Sequence, residues 1–274
     1  MRDSRVSTPY LADAEWGKDS EAPGRFAKTC ASHVASALFL GRVGRPDLST
    51  QVQRLCTAVA RWTVIEDAAL VRLLSYLNFH ADYALTGSLA PVDLKDLVLR
   101  LYTDADWNGD AATTKSTSGT WLEFYSPSSG RFWPISWATA KQTATASSTC
   151  EAETAALSAG LRRQALPVQI LVELVLRKRL LIRCQVDNTQ AIAAVSKGYT
   201  KKLRCLSRTQ RVSIGVIHEM ISDPEMQIVV EHCATAIMKG DMFTKALAAP
   251  AYIFQREAIG MIQETAGGES RKST

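Results

Sequence analysis

Apolar positions in the first third of the chain recur at helical spacing. From Ala31 onward Val34, Leu38, Leu40 and Val43 fall near one helical face, and Gly44 with Pro46 breaks the pattern. Residues 47–62 and 66–83 predict two more amphipathic helices, the second carrying the stripe Ala69, Leu70, Leu73, Leu74 and Leu77. Residues 88–96, with Pro91, predict a loop. The period then shortens toward two. Residues 97–103, 119–125 and 132–137 predict strands, and Asn108-Gly109 marks a turn between the first two. Helices are predicted at 148–164 and, with Pro167 in an allowed first turn, at 167–179. A strand at 181–186, a short helix at 188–197, a helix at 208–221 stopped by Asp223-Pro224, a strand at 226–231 and a short helix at 240–247 follow. A meander of strands, then strands alternating with helices, predicts an α/β fold with a mixed sheet and helices packed on it.

This pattern divides the chain into a flexible arm at 1–28, a helical region at 29–96, an α/β domain at 97–248 and a tail at 249–274, whose last ten residues are Gly/Ser/Lys-rich. No internal repeat is visible. The 274 residues are 46% hydrophobic and 22% charged, enough apolar material for a packed core, which excludes wholesale disorder. The apolar run from Leu166 to Leu176 is too short for a membrane span and ends in Arg177-Lys178-Arg179. Arg2, Asp3 and Arg5 stand where a secretory signal would place apolar residues, and no targeting signal is seen. The six cysteines are scattered without a C-x-x-C pair, which suits a reduced intracellular protein without a disulfide framework. The four histidines form no zinc-ligand pair. The net charge of +5 is too small to name a partner by itself, so its distribution matters more than its sum.

Candidate chemistry rests on scattered acids. Strand alternation puts Asp104 and Asp106 on one side, where like charges repel unless a turn splays them into water or a cation binds. Ser148 with Glu151 fits a helix capping box, which gives Glu151 a structural task. Glu153 shares the packing face with Ala156, Leu157, Gly160 and Leu161, so it either needs a partner or lies at the edge of the stripe and reaches solvent. Asp187 precedes the predicted helix at 188, Asp241 follows Gly240 at the start of the predicted helix at 240–247, and both suit a simple N-cap or a site. Asp104, Glu153, Asp187 and Asp241 all sit where a strand ends or a helix begins, and such ends can converge on one edge of a sheet. Between Asn188 and His218 the charges are Lys197, Lys201, Lys202, Arg204, Arg208 and Arg211, with Tyr199 among them and no Asp or Glu. That stretch suits a phosphate backbone or a solvated helix face.

The sequence resembles a known family. Tyr102-Thr103-Asp104-Ala105-Asp106-Trp107, Lys115-Ser116-Thr117-Ser118-Gly119, Ile135-Ser136-Trp137 with Lys141-Gln142, Ser147-Ser148-Thr149-Cys150-Glu151-Ala152-Glu153, Val186-Asp187-Asn188 and Asp241-Met242-Phe243-Thr244-Lys245-Ala246-Leu247 occur in order. They resemble the motifs of the ribonuclease H domain at the end of the polyprotein of copia-type LTR retrotransposons. Gly41-Arg42-Val43-Gly44-Arg45-Pro46-Asp47-Leu48 and Leu73-Leu74-Ser75-Tyr76-Leu77 resemble segments of the thumb and connection region of the family's reverse transcriptase. The polymerase motif Y-x-D-D is not in this sequence, which therefore looks like a C-terminal piece of such a polyprotein without the palm.

The resemblance implies a ribonuclease H-like mixed five-stranded sheet and hydrolysis of the RNA strand of RNA–DNA hybrids. It implies Asp104, Glu153, Asp187 and Asp241 as the catalytic and metal-binding residues. Two Mg²⁺ ions about 4 Å apart, with Mn²⁺ as a substitute, would then lie at this quartet. Asp104 would bridge them, Asp241 would help hold the water-activating ion, and Glu153 with Asp187 the other. Asn188, Gln190, Lys197, Lys201, Lys202, Arg204, Arg208 and Arg211 are the expected nucleic-acid contacts, and His232 the expected auxiliary residue for product departure. The implied partners are an RNA–DNA hybrid and the reverse transcriptase palm, in the cytoplasm or in virus-like particles. The sequence departs from the family at Arg208–Ser213, which lacks a usual His and Asp, at Gly240 where Ala is usual, and at Thr154 where Tyr is usual. A catalytically silent relic that only binds nucleic acid is the alternative expectation.

Overall fold

The computed structural model describes residues 6–11, 13–16, 22–110 and 113–264. Residues 1–5, 12 and 17–21 of the expected arm and 265–274 of the expected tail lie outside the described residues. The chain forms two compact units, Gly87–Lys245 and Met1–Thr86 with Ala246–Thr274.

The first of these units is built on a five-stranded mixed sheet. Its strands are β1 (Val98–Asp106), β2 (Thr117–Tyr125), β3 (Phe132–Lys141), β4 (Ile182–Val186) and β5 (Ile228–His232), in the spatial order β3-β2-β1-β4-β5. The three meander strands pair antiparallel, and β4 and β5 join β1 in parallel. This is the mixed sheet flanked by helices that the sequence predicts. Leu99, Leu101, Leu122, Leu157, Leu161, Ile182, Cys184, Val186 and Val195 are completely buried at its centre. Helix α1 (Thr149–Gly160) packs on β1, and a side chain at Gly160 would press on Thr103 and Leu101 at 3.0–3.3 Å. A π-turn over Leu161–Ala165 carries α1 into α2 (Leu166–Leu176), so the two predicted helices run on without a loop. Pro167 lacks the N–H that would bond back one turn, and the widened turn before it accommodates that loss. Helix α3 (Thr189–Lys197) follows β4.

The predicted helix at 208–221 is interrupted. Leu206–Thr209 is a short helix, Arg211 takes a left-handed φ of 56°, and Ser213 caps α4 (Ile214–Ser222) by accepting from the Val216 N–H at 3.4 Å. The predicted helix at 240–247 is a tight 3₁₀ turn, Lys239–Phe243. The 88–96 loop belongs with the sheet, because Asp93 pairs with Arg131 at 2.8 Å and Asp96 accepts from Ser126 Oγ and the Ser128 N–H, both at 2.7 Å.

In the other unit, helices Cys30–Val43, Ser49–Ala58, Val64–Phe79 and Ala249–Ala258 bury Leu48, Leu55, Leu70, Leu73, Tyr76 and Tyr252. Thr63 and Glu66 form a reciprocal capping box on Val64–Phe79. Where the sequence predicts only a tail after 248, Ala249–Ala258 is helical and Met261–Gln263 pairs antiparallel with Tyr83–Leu85. The helix escapes a hydrophobic reading because its buried face is Tyr252, Gln255 and Arg256. Parts of the predicted arm are likewise packed: Val6, Thr8 and Tyr10 are buried, and Tyr10 Oη donates to the Leu247 carbonyl at 3.0 Å.

Candidate metal centre and nucleic-acid cleft

The strand order delivers each acid to one edge of the sheet. Asp104 lies near the carboxyl end of β1, Asp187 directly follows β4, Glu153 lies in the first turns of α1, and Asp241 lies in the Lys239–Phe243 turn. Motif residues that are not acids hold these ends in place. Gln142 Nε2, beyond β3, donates to Ser118 Oγ and to the Ala152 carbonyl, both at 2.9 Å, and so ties the meander to α1. Trp107 Nε1 donates to the Ala146 carbonyl at 3.0 Å. Ser148 caps α1 by accepting from the Glu151 N–H, and Glu151 reaches back to the Ser147 N–H at 2.9 Å. Glu151 therefore has a structural task, although it bonds the N–H of Ser147, one residue before the cap, and not that of Ser148 as the predicted capping box requires.

Single carboxylate oxygens of Asp104, Glu153 and Asp187 lie within 4.8 Å of one another. Asp104 and Glu153 are each 2% exposed, and Asp187 is half-buried. Asp241 is buried beside them, and Lys245 Nζ links the two sides, 3.0 Å from Asp241 Oδ1 and 3.7 Å from Asp104 Oδ2. Thr244 Oγ1 donates to Asp104 Oδ2, and Thr235 Oγ1 donates to Asp187 Oδ2 at 3.2 Å. Glycine makes the close approach of Asp241 feasible. A side chain at Gly240 would stand 2.9 Å from Asp104 Cβ, and one at Gly119, opposite Asp104 in β2, would stand 2.6–2.8 Å from Thr244, Gly240 and Phe243.

The electrostatics are those of an acid cluster short of positive charge. Burial first, then the Asp104 and Asp187 carboxylates, push Glu153 up to about 9. Burial and Asp104 push Asp241 up to about 7 against the opposing pull of Lys245. Glu153 Oε1 accepts from the Ala105 N–H at 3.3 Å, while Oε2 is buried with no hydrogen-bond partner. An orphaned buried oxygen among hard carboxylate donors fits a divalent cation of the Mg²⁺ or Mn²⁺ type, which these residues would hold.

A cleft of about 640 Å³ opens beside Asp187. Asn188, Gln190 and Lys202 line it, together with Ser147, Ser148, Thr149 and Cys150. The first turns of both α1 and α3 face it. Asn188 is also the N-cap of α3: its Oδ1 accepts from the Gln190 and Ala191 N–H groups at 3.0 Å, which leaves its amide nitrogen as the free end. Lys197, Lys201, Arg204, Arg208 and Arg211 are exposed and do not line the cleft. His232, also exposed, ends β5, where the register pairs it with Val186, one position before Asp187.

No family model matches the chain. Over 265 residues, 93% of its length, it is 27% identical to the retrovirus-related Pol polyprotein from transposon TNT 1-94 of Nicotiana tabacum. The chain is thus similar, over nearly its whole length, to a retrotransposon Pol polyprotein. It spans 18% of the length of that polyprotein. It is also 33% identical over 127 residues to the secreted RxLR effector protein 161 of Plasmopara viticola, a match covering 46% of this chain and 82% of that one. Among solved structures it is similar to LC11-RNase H1 isolated from compost, with 15% identity, 54% of this chain and 92% of that chain covered, and a TM-score of 0.34. The prototype foamy virus protease-reverse transcriptase matches at 13% identity over 64% of this chain and 22% of that chain, with a TM-score of 0.31.

Several residues of the site are missed by sequence reasoning. Thr244 and Lys245 stand inside a quoted motif but receive no role from it. Lys245 could have been found four positions after Asp241, the spacing at which a side chain returns to the same side of a turn. Gly119 likewise ends a quoted motif without receiving a role from it, whereas Lys239 and Glu123 carry no local signal. Among the described residues no helix is long and apolar enough to cross a membrane.

Proposed function

We propose that the chain is a divalent-metal-dependent nuclease of the ribonuclease H type, acting on the RNA strand of an RNA–DNA hybrid as part of a retrotransposon polyprotein. The observation that carries this reading is the meeting of Asp104, Glu153 and Asp187 within 4.8 Å, with Asp241 tied alongside through Lys245. Side chains from separate elements are held there at a cost in like-charge repulsion that folding alone does not require. Bound Mg²⁺ would supply Lewis-acid activation of water and charge stabilisation of the leaving oxygen. The residues of this chain do the rest. Asp104, Glu153, Asp187 and Asp241 would hold the cations. The opening turns of α1 and α3, with Lys202, line the neighbouring cleft and suit a phosphate backbone running into the site. Hydroxyl and amide groups at Ser148, Thr149 and Asn188 offer hydrogen bonds that suit 2′-hydroxyls. Lys197, Lys201, Arg204, Arg208 and Arg211 extend the positive surface, and His232 stands at the sheet edge where product would leave.

The test is cleavage of a labelled hybrid with and without Mg²⁺ by the wild type and by Asp187→Asn. The half-buried position of Asp187 makes this change tolerable to the fold, so the melting temperature stays close to wild type while cleavage drops by ~100-fold or more. Cutting that persists in Asp187→Asn defeats the assignment. Hybrid binding by the wild type without cutting selects the silent nucleic-acid binder instead.

A further inference from the structure

The face of β1 that carries Asp104 also carries Arg100 and Tyr102, and in β2 it carries Glu123 and Trp121 opposite them. Glu123 is completely buried, yet it is a carboxylate in mid-strand. Its Oε1 accepts from Arg100 Nε at 2.7 Å, and its Oε2 accepts from Trp121 Nε1 and from Lys239 Nζ, both at 2.7 Å. Lys239 is itself 6% exposed, and its ammonium lies 4.1 Å from the centre of the Phe132 ring. A buried ion pair is poor evidence for stability, because desolvating both charges offsets most of their attraction, and apolar residues of the same volume often do as well. What such a pair supplies is direction: an ammonium and a carboxylate meet in few geometries, whereas apolar side chains slide. Lys239 opens the turn that bears Asp241, with Gly240 alone between them. On the far side of Asp241, Met242 and Phe243 are buried and Phe243 stacks on Trp121 at 5.8 Å between ring centres, which secures depth but not register.

We propose that Lys239, through its buried pairing with Glu123, is a positioning residue that sets the register of the Lys239–Phe243 turn and thereby holds Asp241 against Asp104. This rests on the four-acid reading of the site. The pairing fixes the one acid that does not come from the sheet edge or from α1. Removing it lets the turn shift along β1 while the other three carboxylates stay where they are.

The experiment is calorimetric titration of the full chain with Mn²⁺ alone, with no nucleic acid present, for the wild type, Lys239→Met, Asp241→Asn and the double variant. Lys239→Met replaces the ammonium by a flexible apolar chain of similar length. Glu123→Gln, which keeps the volume but removes the carboxylate charge that Lys239 pairs with, is the second variant should the first fail to fold. The proposal expects Lys239→Met to weaken the Asp241-dependent Mn²⁺ site by ~10-fold or more. It expects the remaining site to be unchanged, and the double variant to bind no more weakly than Asp241→Asn. That lack of additivity is the readout a general loss of packing would not give, since such a loss would weaken both sites and add to the Asp241 change. Wild-type binding in Lys239→Met, or additive losses in the double variant, overturns the positioning role alone. Unchanged Mn²⁺ binding in Asp241→Asn overturns the four-acid reading and this inference with it.

Discussion

Glu153 is the residue on which the chemistry of the site is most exposed to test. Its carboxyl is pushed up to about 9 by burial and by Asp104 and Asp187, from an ordinary value of 4.5. Between those two pH values the folded chain keeps a proton that the unfolded chain has lost. Stability without metal therefore falls as pH rises through that window and levels off above it. Asp241, pushed up to about 7 by burial and Asp104, adds to the fall in the lower half. In chelator the melting temperature should drop steadily from pH 5 to pH 9, and Mg²⁺ should restore more of it at pH 8 than at pH 6. Glu153→Gln should flatten the slope and raise the metal-free melting temperature, by roughly 2–4 °C for each kcal/mol relieved. A wild-type profile that is flat in chelator over this range, followed by differential scanning fluorimetry, would count against the acid cluster. The acids themselves were legible in the sequence because each sits at the end of an element, but singly each also reads as a cap or a turn residue. Their neighbours were not legible. Lys239 meets Glu123 across 116 positions and Thr244 meets Asp104 across 140, and no periodicity relates residues so far apart.

At the scale of elements, the strands and helices that carry the site follow from period and punctuation, while the departures have local causes. The capping serine at 213 and the left-handed Arg211 divide what hydrophobic spacing alone reads as one helix at 208–221. Ala249–Ala258 was hidden for the opposite reason, because polar side chains face inward there. One of those side chains, Tyr252, reaches Asp47. Arg45 pairs with its Oδ2 at 2.8 Å, Tyr76 Oη donates to the same oxygen at 2.8 Å, and Tyr252 Oη donates to the Asp47 carbonyl at 2.8 Å. Arg256 reaches the Tyr76 hydroxyl at 3.3 Å. The Arg-Pro-Asp segment, part of a quoted motif, is thus the hub that joins Val64–Phe79 and Ala249–Ala258. Asp47→Ala leaves the half-buried Arg45 guanidinium without its carboxylate and the buried Tyr76 hydroxyl without its acceptor. The expected loss is about 3–5 kcal/mol. It should be read as faster amide hydrogen exchange in Val64–Phe79 and Ala249–Ala258, with exchange in β1 and α1 unchanged. Protection of those two helices at the wild-type level would show that the apolar contacts of Leu70 and Leu73 suffice.

At the scale of the whole molecule the charge is distributed more tellingly than its sum of +5 suggests. Negative charge is concentrated where Asp104, Glu153, Asp187 and Asp241 gather, and an uninterrupted positive stretch from Lys197 to Arg211 follows the helix that begins at the cleft. A nucleic-acid backbone brought to the acids needs compensation from that stretch, and each phosphate neutralised releases condensed counterions. Hybrid affinity should therefore fall linearly on a log–log plot against salt. The structure divides the basic residues into two kinds. Lys202 lines the cleft with Asp187 and the openings of α1 and α3, whereas Lys201 and Arg204 are exposed outside it. Lys202→Gln should lower the magnitude of the salt slope by about one and weaken binding equally for hybrids of different sequence. It should also slow cleavage at saturating hybrid, because it removes a contact beside the acids. Lys201→Gln and Arg204→Gln should each change the slope by less and leave the saturated rate as in the wild type. Fluorescence anisotropy from 50 to 300 mM salt, paired with single-turnover cleavage, separates the two kinds. Equal effects of all three substitutions on slope and rate would mean that the cleft beside Asp187 is not the path of the backbone, and that the basic stretch acts only as a diffuse attractor.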